Sequence, residues 1–212
     1  RDERDNVREA AIAGLKTVAG HDADSLYLEA LGRSDYQLVM TAANALIGTL
    51  RSVDAAAALF AALARITAEQ RDTSRDARLA VLGRIGELGR AVDAPALAPY
   101  LHDVDPQVAD AAAAAIGALT GLPAPKSAPR PRAAAVPALA DIERLRGARA
   151  VVRIAGRGAF EFTLLPDEAP ATVARFVELA RAGYYNGLTF HRIVPAFIVQ
   201  GGSPGANEYS GA

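Results

Sequence analysis

The chain contains no cysteine among its 212 residues, and this absence excludes two classes of protein. A small domain held together by disulfides and a zinc site built on thiolates both require cysteine. An excess of one charge is also lacking, because 23 Lys and Arg residues are balanced by 24 Asp and Glu residues. No basic patch stands out, so we expect neither nucleic acid nor an anionic membrane surface as a partner.

Long apolar runs are absent as well. One of the longest stretches without a charged residue, from Ala111 to Pro125, is rich in alanine and glycine. A membrane-spanning helix needs about 20 predominantly apolar residues, so we predict no span. Half of the chain (51%) is hydrophobic, which is enough to bury a core in one large or two small domains. We predict no cofactor and no bound metal, and the composition indicates no particular cellular compartment.

The first part of the chain shows repeated helical patterning. Apolar residues recur at helical spacing in four segments, which begin at Val7, Val39, Ala77 and Val108. Shorter helices are predicted between them, over residues 26–31, 55–63 and 95–101. An aspartate before a helix accepts hydrogen bonds from its unpaired amides, so we predict Asp93 and Asp105 as N-caps.

A pair of helices roughly every thirty-odd residues resembles HEAT repeats. The segment "HDVDPQVADAAAAAIGAL" looks like the short bacterial variety. This resemblance implies an α-helical solenoid over residues 1–121, in which small alanines let neighbouring helices approach closely. Such an array either binds a partner protein on its concave face or acts as a spacer, and the sequence leaves both open. We interpret His21 and His102 as solvated loop residues rather than catalytic ones.

A change of composition follows the helices. The stretch "LPAPKSAPRPRAAAVP", residues 122–137, holds five of the 12 prolines and no acidic residue. Proline fixes φ and keeps a chain extended, so we predict a semi-rigid linker with few contacts. The alternative is a ligand for a proline-recognising module, because the stretch is extended and basic.

From Ala148 the sequence pattern changes from helical to alternating. The segments "RAVVRIAG" and "AFEFTLLP" flank "GRG", which predicts a β-hairpin. A helix is predicted next, with Pro170 in its first turn and Gly183 as a left-handed cap. The segment "FHRIVPAFIVQGG", residues 190–202, is then predicted as a strand that Pro195 interrupts.

This last segment places a cation and an amide within an apolar run. In a flat strand Arg192 shares a face with Phe190, whereas Phe197 and Gln200 point apart. We expect a bend or bulge at Pro195–Ala196, which would bring Arg192, Phe197 and Gln200 into one pocket. His191, on the opposite face, is interpreted as a packed, hydrogen-bonded structural residue.

The same segment, with "LPDEAPATVARFVELARAGYYNGLTF" before it, resembles the cyclophilins, peptidyl-prolyl cis–trans isomerases built on a closed β-barrel. The resemblance covers about residues 148–212. It implies that Arg192, Phe197 and Gln200 are catalytic and substrate-contacting residues and that proline-containing polypeptides are the substrates. Arg192 would donate a hydrogen bond either to the prolyl nitrogen or to the neighbouring carbonyl, Phe197 would form the floor of the proline pocket, and Gln200 would bind the substrate backbone.

Three positions depart from the common pattern of the family. Arg175, Ala196 and Ser203 stand where asparagine, glycine and aspartate are frequent. None of them removes a presumed catalytic group. Ala196, however, lies at the bend that is expected to gather the site.

The sequence therefore predicts a multidomain α + β protein. A HEAT-like solenoid covers residues 1–121, a linker covers 122–137, and the N-terminal part of a cyclophilin-type barrel with one helix covers 138–212. The chain starts within one pattern and stops within another, so we expect a fragment that is weak or inactive alone. The predicted function is peptidyl-prolyl isomerisation that assists protein folding, with the repeats holding a partner or client. The alternative is a non-catalytic scaffold whose barrel only grips proline-containing peptides.

Overall fold

A computed structural model of the chain describes residues 2–132 and 136–203. Contacts divide these residues into two units, one of residues 2–132 with 188–203 and one of residues 136–187. Part of the predicted linker, residues 133–135, lies outside the described residues. So does the end of the predicted cyclophilin-type domain, residues 204–212.

Residues 2–132 are mostly helical, as the sequence predicts. The α-helices are α1 Asp5–Val18, α2 Asp24–Leu31, α3 Tyr36–Ala45, α4 Val53–Ala68, α5 Arg75–Leu88 and α6 Pro106–Thr120. The 3-10 helices are Gly20–Ala23, Asp72–Ser74 and Ala91–His102.

Side-chain caps define the starts of three of these helices. Asp35, Ser52 and Asp105 precede α3, α4 and α6, and each accepts a hydrogen bond from a backbone N–H two or three residues later, at 2.9–3.0 Å. Asp105 is thus confirmed as an N-cap. The prediction for Asp93 is wrong, because the 3-10 helix already begins at Ala91. The Asp93 carboxylate instead accepts the backbone N–H of Arg90 at 2.9 Å from within the first turn.

The helices of this region contact one another in two series along the chain, one through α1 and α3 and one through α2 and α4, and both series reach α5. Helix α1 contacts α3, α3 contacts α5 and α5 contacts α6, while α2 contacts α4 and α4 contacts α5. Burial of their apolar faces forms one hydrophobic core, which supplies the main stabilisation. The largest fully buried side chains are Tyr27, Leu31, Leu38, Leu46, Leu59, Leu63, Ile66, Leu82, Ile85, Leu97, Val39 and Val81.

Helix α3 is shorter than the repeated pattern predicts. It ends at Ala45, and Gly48 follows with φ +84, a left-handed conformation that glycine adopts readily. Ile47 and Leu50, which the pattern predicts on the apolar face, are consequently 52% and 87% exposed. The equivalent residues of α5 are buried, so the segments share a helical period without sharing one buried face.

The first part of the predicted linker lies against the helices. We call residues 122–132 the strap. The backbone N–H of Ala128 donates to the carbonyl oxygen of Leu101 at 2.9 Å, and that of Arg130 donates to Asp103 at 3.0 Å. The expectation that this stretch makes few contacts therefore does not hold for the strap.

Residues 136–187 form a hairpin and two helices. Their elements are α7 Leu139–Leu145, β1 Arg149–Ile154, β2 Gly158–Thr163 and α8 Pro170–Arg181. Strands β1 and β2 are antiparallel, with Ala150 opposite Phe162 and Val152 opposite Phe160, so the predicted hairpin is confirmed. Helix α7 was not predicted, because seven residues are too few for a helical period to show.

The two ends of α8 agree with the sequence prediction. Pro170 is its first residue, where a missing N–H costs nothing. At the other end Gly183 has φ +75. Its N–H donates to Ala180 at 3.1 Å, and the N–H of Tyr184 donates to Leu179 at 3.0 Å. These two bonds form a Schellman motif, which satisfies the last carbonyls of the helix.

Apolar contacts hold α8 on the hairpin. Leu145, Leu164 and Val173 form a small buried cluster. Aromatic rings extend it, since the Phe162 and Phe176 centroids lie 5.9 Å apart and those of Phe176 and Tyr185 lie 5.3 Å apart. Burial raises the pKa of Tyr185, as expected for a phenol packed among rings.

A second antiparallel hairpin contains β3 Phe190–Val194 and β4 Ile198–Gly201. The described strands thus form two separate two-stranded sheets, and no closed barrel is found among them. Of the described helices, none combines the length and apolar character required to cross a bilayer.

Candidate active site

The turn between β3 and β4 determines where the predicted site residues lie. The chain reverses over Val194–Phe197, and the N–H of Phe197 donates to the carbonyl oxygen of Val194 at 3.1 Å. Pro195 occupies the second position of this turn, and Ala196 the third with φ +57. This is the pattern of a type II turn, which favours proline at the second position and a left-handed residue at the third. The bend predicted at Pro195–Ala196 is confirmed.

Ala196 holds this turn at an energetic cost. Among the described residues, only Gln70 and Ala196 have a positive φ without being glycine. The Cβ atom of an L-residue crowds the carbonyl oxygen in this conformation, at a cost of roughly 1–2 kcal/mol. The alanine that departs from the family pattern therefore keeps the bend but strains it.

The hairpin brings two of the three predicted site residues together. Arg192 and Gln200 are directly opposite in the register of β3 and β4. The Arg192 Nη1 atom donates a hydrogen bond to Gln200 Oε1 at 3.4 Å. Directly opposed residues share a face of the sheet, so a guanidinium and an amide lie side by side on this hairpin.

Phe197, the third predicted residue, is the last residue of the turn. Its side chain is 75% exposed, so the described residues do not enclose it. Ile193 and Val199, which pair on the face opposite Arg192 and Gln200, are exposed too, at 67% and 60%. The described residues thus supply a paired cation and amide and an open apolar surface, but not the single pocket for all three residues that the sequence predicts.

A bulge at His191 changes the alternation predicted for β3. Phe190 pairs with Gly201 and Arg192 pairs with Gln200, so His191 is an extra residue in the strand. Phe190 therefore lies on the face opposite Arg192, and the prediction that they share a face is wrong. A Cβ atom added at Gly201 would come within 2.7 Å of the Phe190 ring, which shows how closely that ring covers the glycine.

The ring of His191 is packed but unpaired. Both of its nitrogens are buried, and neither has a hydrogen-bond partner in the described part of the chain. His191 is therefore packed, as predicted, but the prediction that its ring is hydrogen-bonded is wrong for the described residues. Buried polar atoms are usually satisfied, so this ring can still donate or accept a hydrogen bond next to Arg192. An alternating sequence pattern does not reveal a bulge, so the unpaired ring could not be predicted.

Two cavities are lined by other residues. One of about 300 Å³ is lined by Arg146, Gly147 and residues 163–168. Another of about 400 Å³ lies in the helical region, where Arg78 and Arg132 contribute to its lining. Arg192, Phe197 and Gln200 line neither cavity, so the candidate active site is the exposed face of the β3–β4 hairpin.

Comparison with known families identifies the segment that carries this hairpin. Residues 150–212 match the family model "Cyclophilin type peptidyl-prolyl cis-trans isomerase/CLD". The cyclophilin-type resemblance predicted from the sequence is confirmed over this range. The matched range includes the positions of Arg192, Phe197 and Gln200 and covers less than half of the chain.

Curated relatives agree with the match. A peptidyl-prolyl cis-trans isomerase B of Bacillus subtilis is 59% identical over 44 residues, which cover 21% of this chain and 31% of that protein. A putative peptidyl-prolyl cis-trans isomerase of Staphylococcus saprophyticus is 54% identical over 55 residues, or 26% of this chain and 28% of the relative.

A putative bifunctional phosphatase/peptidyl-prolyl cis-trans isomerase of Streptococcus pyogenes is 45% identical over 64 residues, which cover 30% of this chain. The chain spans 13% of that protein's length, and no more than 31% of the other two. No solved structure matches the chain significantly.

Proposed function

We propose that this protein is a cyclophilin-type peptidyl-prolyl cis–trans isomerase that acts on proline-containing polypeptides and assists their folding. The observation that carries the proposal is the Arg192–Gln200 pair, which stands on an exposed hairpin inside the segment that matches the family. The relatives named as isomerases support the same activity.

The chemistry of the reaction explains why an arginine suffices. An X–Pro bond isomerises slowly because amide resonance imposes a barrier of about 18–20 kcal/mol. The bond has only to lose its double-bond character, so no covalent intermediate is required. The Arg192 guanidinium donates a hydrogen bond to the prolyl nitrogen as it becomes pyramidal, or to the neighbouring carbonyl oxygen. Either interaction is stronger in the twisted state than in the planar ones, which is the condition for catalysis.

Gln200 contributes by orienting Arg192 and by contacting substrate. Their hydrogen bond of 3.4 Å is longer than the usual range of about 2.7–3.2 Å. A substrate acceptor can therefore take the place of Gln200 Oε1 at the Arg192 Nη1 donor. The amide NH₂ of Gln200 is then available to bind a backbone carbonyl of the substrate, and the exposed Phe197 ring offers an apolar surface to the proline ring.

For the helical region we propose a HEAT-like scaffold over residues 1–121 that holds a partner or client. The contacts of α1, α3, α5 and α6 in chain order support this, because each helix buries its face on the next. We also propose that this scaffold ends at residue 121 and that the linker after it ends at residue 137.

A proline-peptide isomerisation assay on a chimera tests the enzyme proposal. Residues 150–203 of this chain replace the corresponding residues of the Bacillus subtilis peptidyl-prolyl cis-trans isomerase B. We expect the chimera to accelerate isomerisation, and the 212-residue chain to do so only weakly, because its described strands form no closed barrel. A chimera that binds the peptide without acceleration would favour the non-catalytic scaffold instead.

A further inference from the structure

The strap runs beside the end of the 3-10 helix Ala91–His102 as an extended chain. Its backbone donates hydrogen bonds to the carbonyl oxygens of Leu101 and Asp103. It also accepts a hydrogen bond, since His102 Nδ1 lies 2.9 Å from the carbonyl oxygen of Ala128 and a carbonyl oxygen can only accept. Three hydrogen bonds thus join residues 128–130 to residues 101–103. We call residues 101–103 the docking edge.

The order of prolines in the strap matches this docking edge. Ala128 and Arg130 supply the donors, while Pro129 and Pro131 alternate with them. In an extended chain, successive N–H groups point to opposite sides. The prolines therefore occupy positions whose N–H would face away from the docking edge, where its absence costs nothing.

Side-chain burial shows the same alternation. Pro125, Ser127 and Pro129 are half-buried, whereas Ala128 and Arg130 are exposed, and the alternation ends there because Pro131 is exposed as well. The half-buried proline rings lie on the side of the helices, and the exposed side chains face solvent. Proline also keeps the segment extended before it docks, so little conformational entropy is lost on docking. An X–Pro–X–Pro segment thus fits the docking edge through its two backbone donors and through the ring of its first proline.

The docking edge is held in place without help from the strap. The Asp103 side chain accepts a hydrogen bond from Arg78 at 2.7 Å and another from the backbone N–H of Asp105 at 2.8 Å. Both Arg78 and Asp103 are buried. The carbonyl groups that receive the strap are therefore fixed by the core of the helical region.

The two side-chain hydrogen bonds of the strap are, by contrast, open to water, although Ala124 lies close against Gly117 of α6. Arg132 Nη2 donates to Gln70 Oε1 at 3.1 Å and Ser127 Oγ donates to Asp110, and both bonds are exposed. Exposed polar bonds exchange readily with water and contribute little net stability. A fixed docking edge that carries a loosely held segment can exchange that segment for another one.

We propose that the docking edge binds X–Pro–X–Pro segments of other polypeptides and that the strap occupies it in cis. The strap itself shows the chemistry of the partner, an extended segment in which proline alternates with residues that have a free N–H. This inference goes beyond the proposed isomerase activity and uses none of the residues of the β3–β4 hairpin.

Peptide binding to the 212-residue chain tests this proposal. The variant A128P/R130P removes both strap donors and keeps the strap extended, so it should leave the docking edge open. The matched control K126P adds a proline at a position whose N–H makes no hydrogen bond within the described residues. The probe is a fluorescent peptide of the sequence KSAPRPR, followed by fluorescence polarisation.

We expect the probe to bind A128P/R130P more tightly than the unmodified chain or K126P. A tethered segment acts at an effective concentration of about 1 mM, so a probe with a Kd of about 0.1 mM should bind the closed chains about tenfold more weakly. A second peptide, KSPPPPR, lacks both donors and should not bind. Equal binding to all three proteins, no binding to a folded A128P/R130P, or equal binding of both peptides would overturn the proposal. These outcomes are independent of isomerase activity.

Discussion

Replacing Asp103 with alanine would show how the helical region is held together. Arg78 and Asp103 are 3% and 8% exposed, and their Nη1 and Oδ2 atoms lie 2.7 Å apart. The variant D103A leaves the Arg78 guanidinium buried without its carboxylate, and Arg78 Nε already lacks a partner in the described part of the chain. Removal of one member of a buried ion pair costs about 3–5 kcal/mol. The backbone N–H of Asp105 also loses its acceptor, which adds about 1 kcal/mol.

The expected loss is large, because the free energy of unfolding of a domain is only about 5–15 kcal/mol. Urea unfolding at pH 7, followed by the helical circular dichroism signal, measures it. The matched control is E87A, which breaks the 2.6 Å ion pair of Glu87 with Arg84 on the same helix. The Glu87 side chain is 48% exposed and that of Arg84 12%, so the pair is open to water on one side and this variant should lose less stability than D103A.

The double variant R78M/D103L distinguishes the cost of an unpaired buried charge from the loss of the ion pair itself. Replacing both charges with apolar residues of similar size leaves no buried charge unpaired, so we expect it to regain most of the stability lost in D103A. If D103A costs no more than E87A, the buried pair does not hold α5 to the docking edge and the reasoning is refuted.

Two further outcomes are expected. Changing Ala196 to glycine should stabilise the β3–β4 hairpin by up to about 1 kcal/mol, because glycine adopts a positive φ without crowding. Thermal unfolding of the chimera with and without A196G measures this change, and a lower unfolding midpoint in A196G would contradict the prediction. Burial alone would raise the pKa of Asp105, but its hydrogen bonds from Arg75 and from the Gln107 N–H lower that pKa below its ordinary 3.8. The unfolded chain then binds a proton more readily, so stability should fall as the pH drops below about 4. The variant D105N keeps a capping side chain but cannot titrate, so its stability should fall less at low pH than that of the unmodified chain. Urea unfolding at several pH values measures this, and the same pH profile for both proteins would contradict the prediction.

The sequence predicted the helices well because their apolar spacing and caps are local. Asp105 and Gly183 each act within a few residues of their own position, and each is found where it was predicted. The end of α3 was missed, since Ile47 and Leu50 continue the apolar period although the chain has already turned at Gly48. The Arg78–Asp103 pair was missed because charged side chains are normally exposed and these two lie far apart in sequence.

The candidate site was predicted in part. The residue types and the bend at Pro195 indicated that Arg192 and Gln200 meet, and the hairpin register places them opposite each other. The bulge at His191 depends on the pairing partner Gly201, which a single-strand pattern cannot indicate. The strap was misjudged because proline content predicts an extended chain and not what that chain lies against.

The role of Arg192 is the central claim, and the rate of proline-peptide isomerisation by the chimera tests it most directly. Loss of one preorganised donor typically lowers turnover by about 100- to 1,000-fold, so we expect a fall of that size in R192A. R192K should also be poor, because an ammonium lacks the planar pair of donors. The matched control R153A removes an exposed arginine of β1 and should keep the full rate. A folded R192A chimera as fast as R153A would contradict the account.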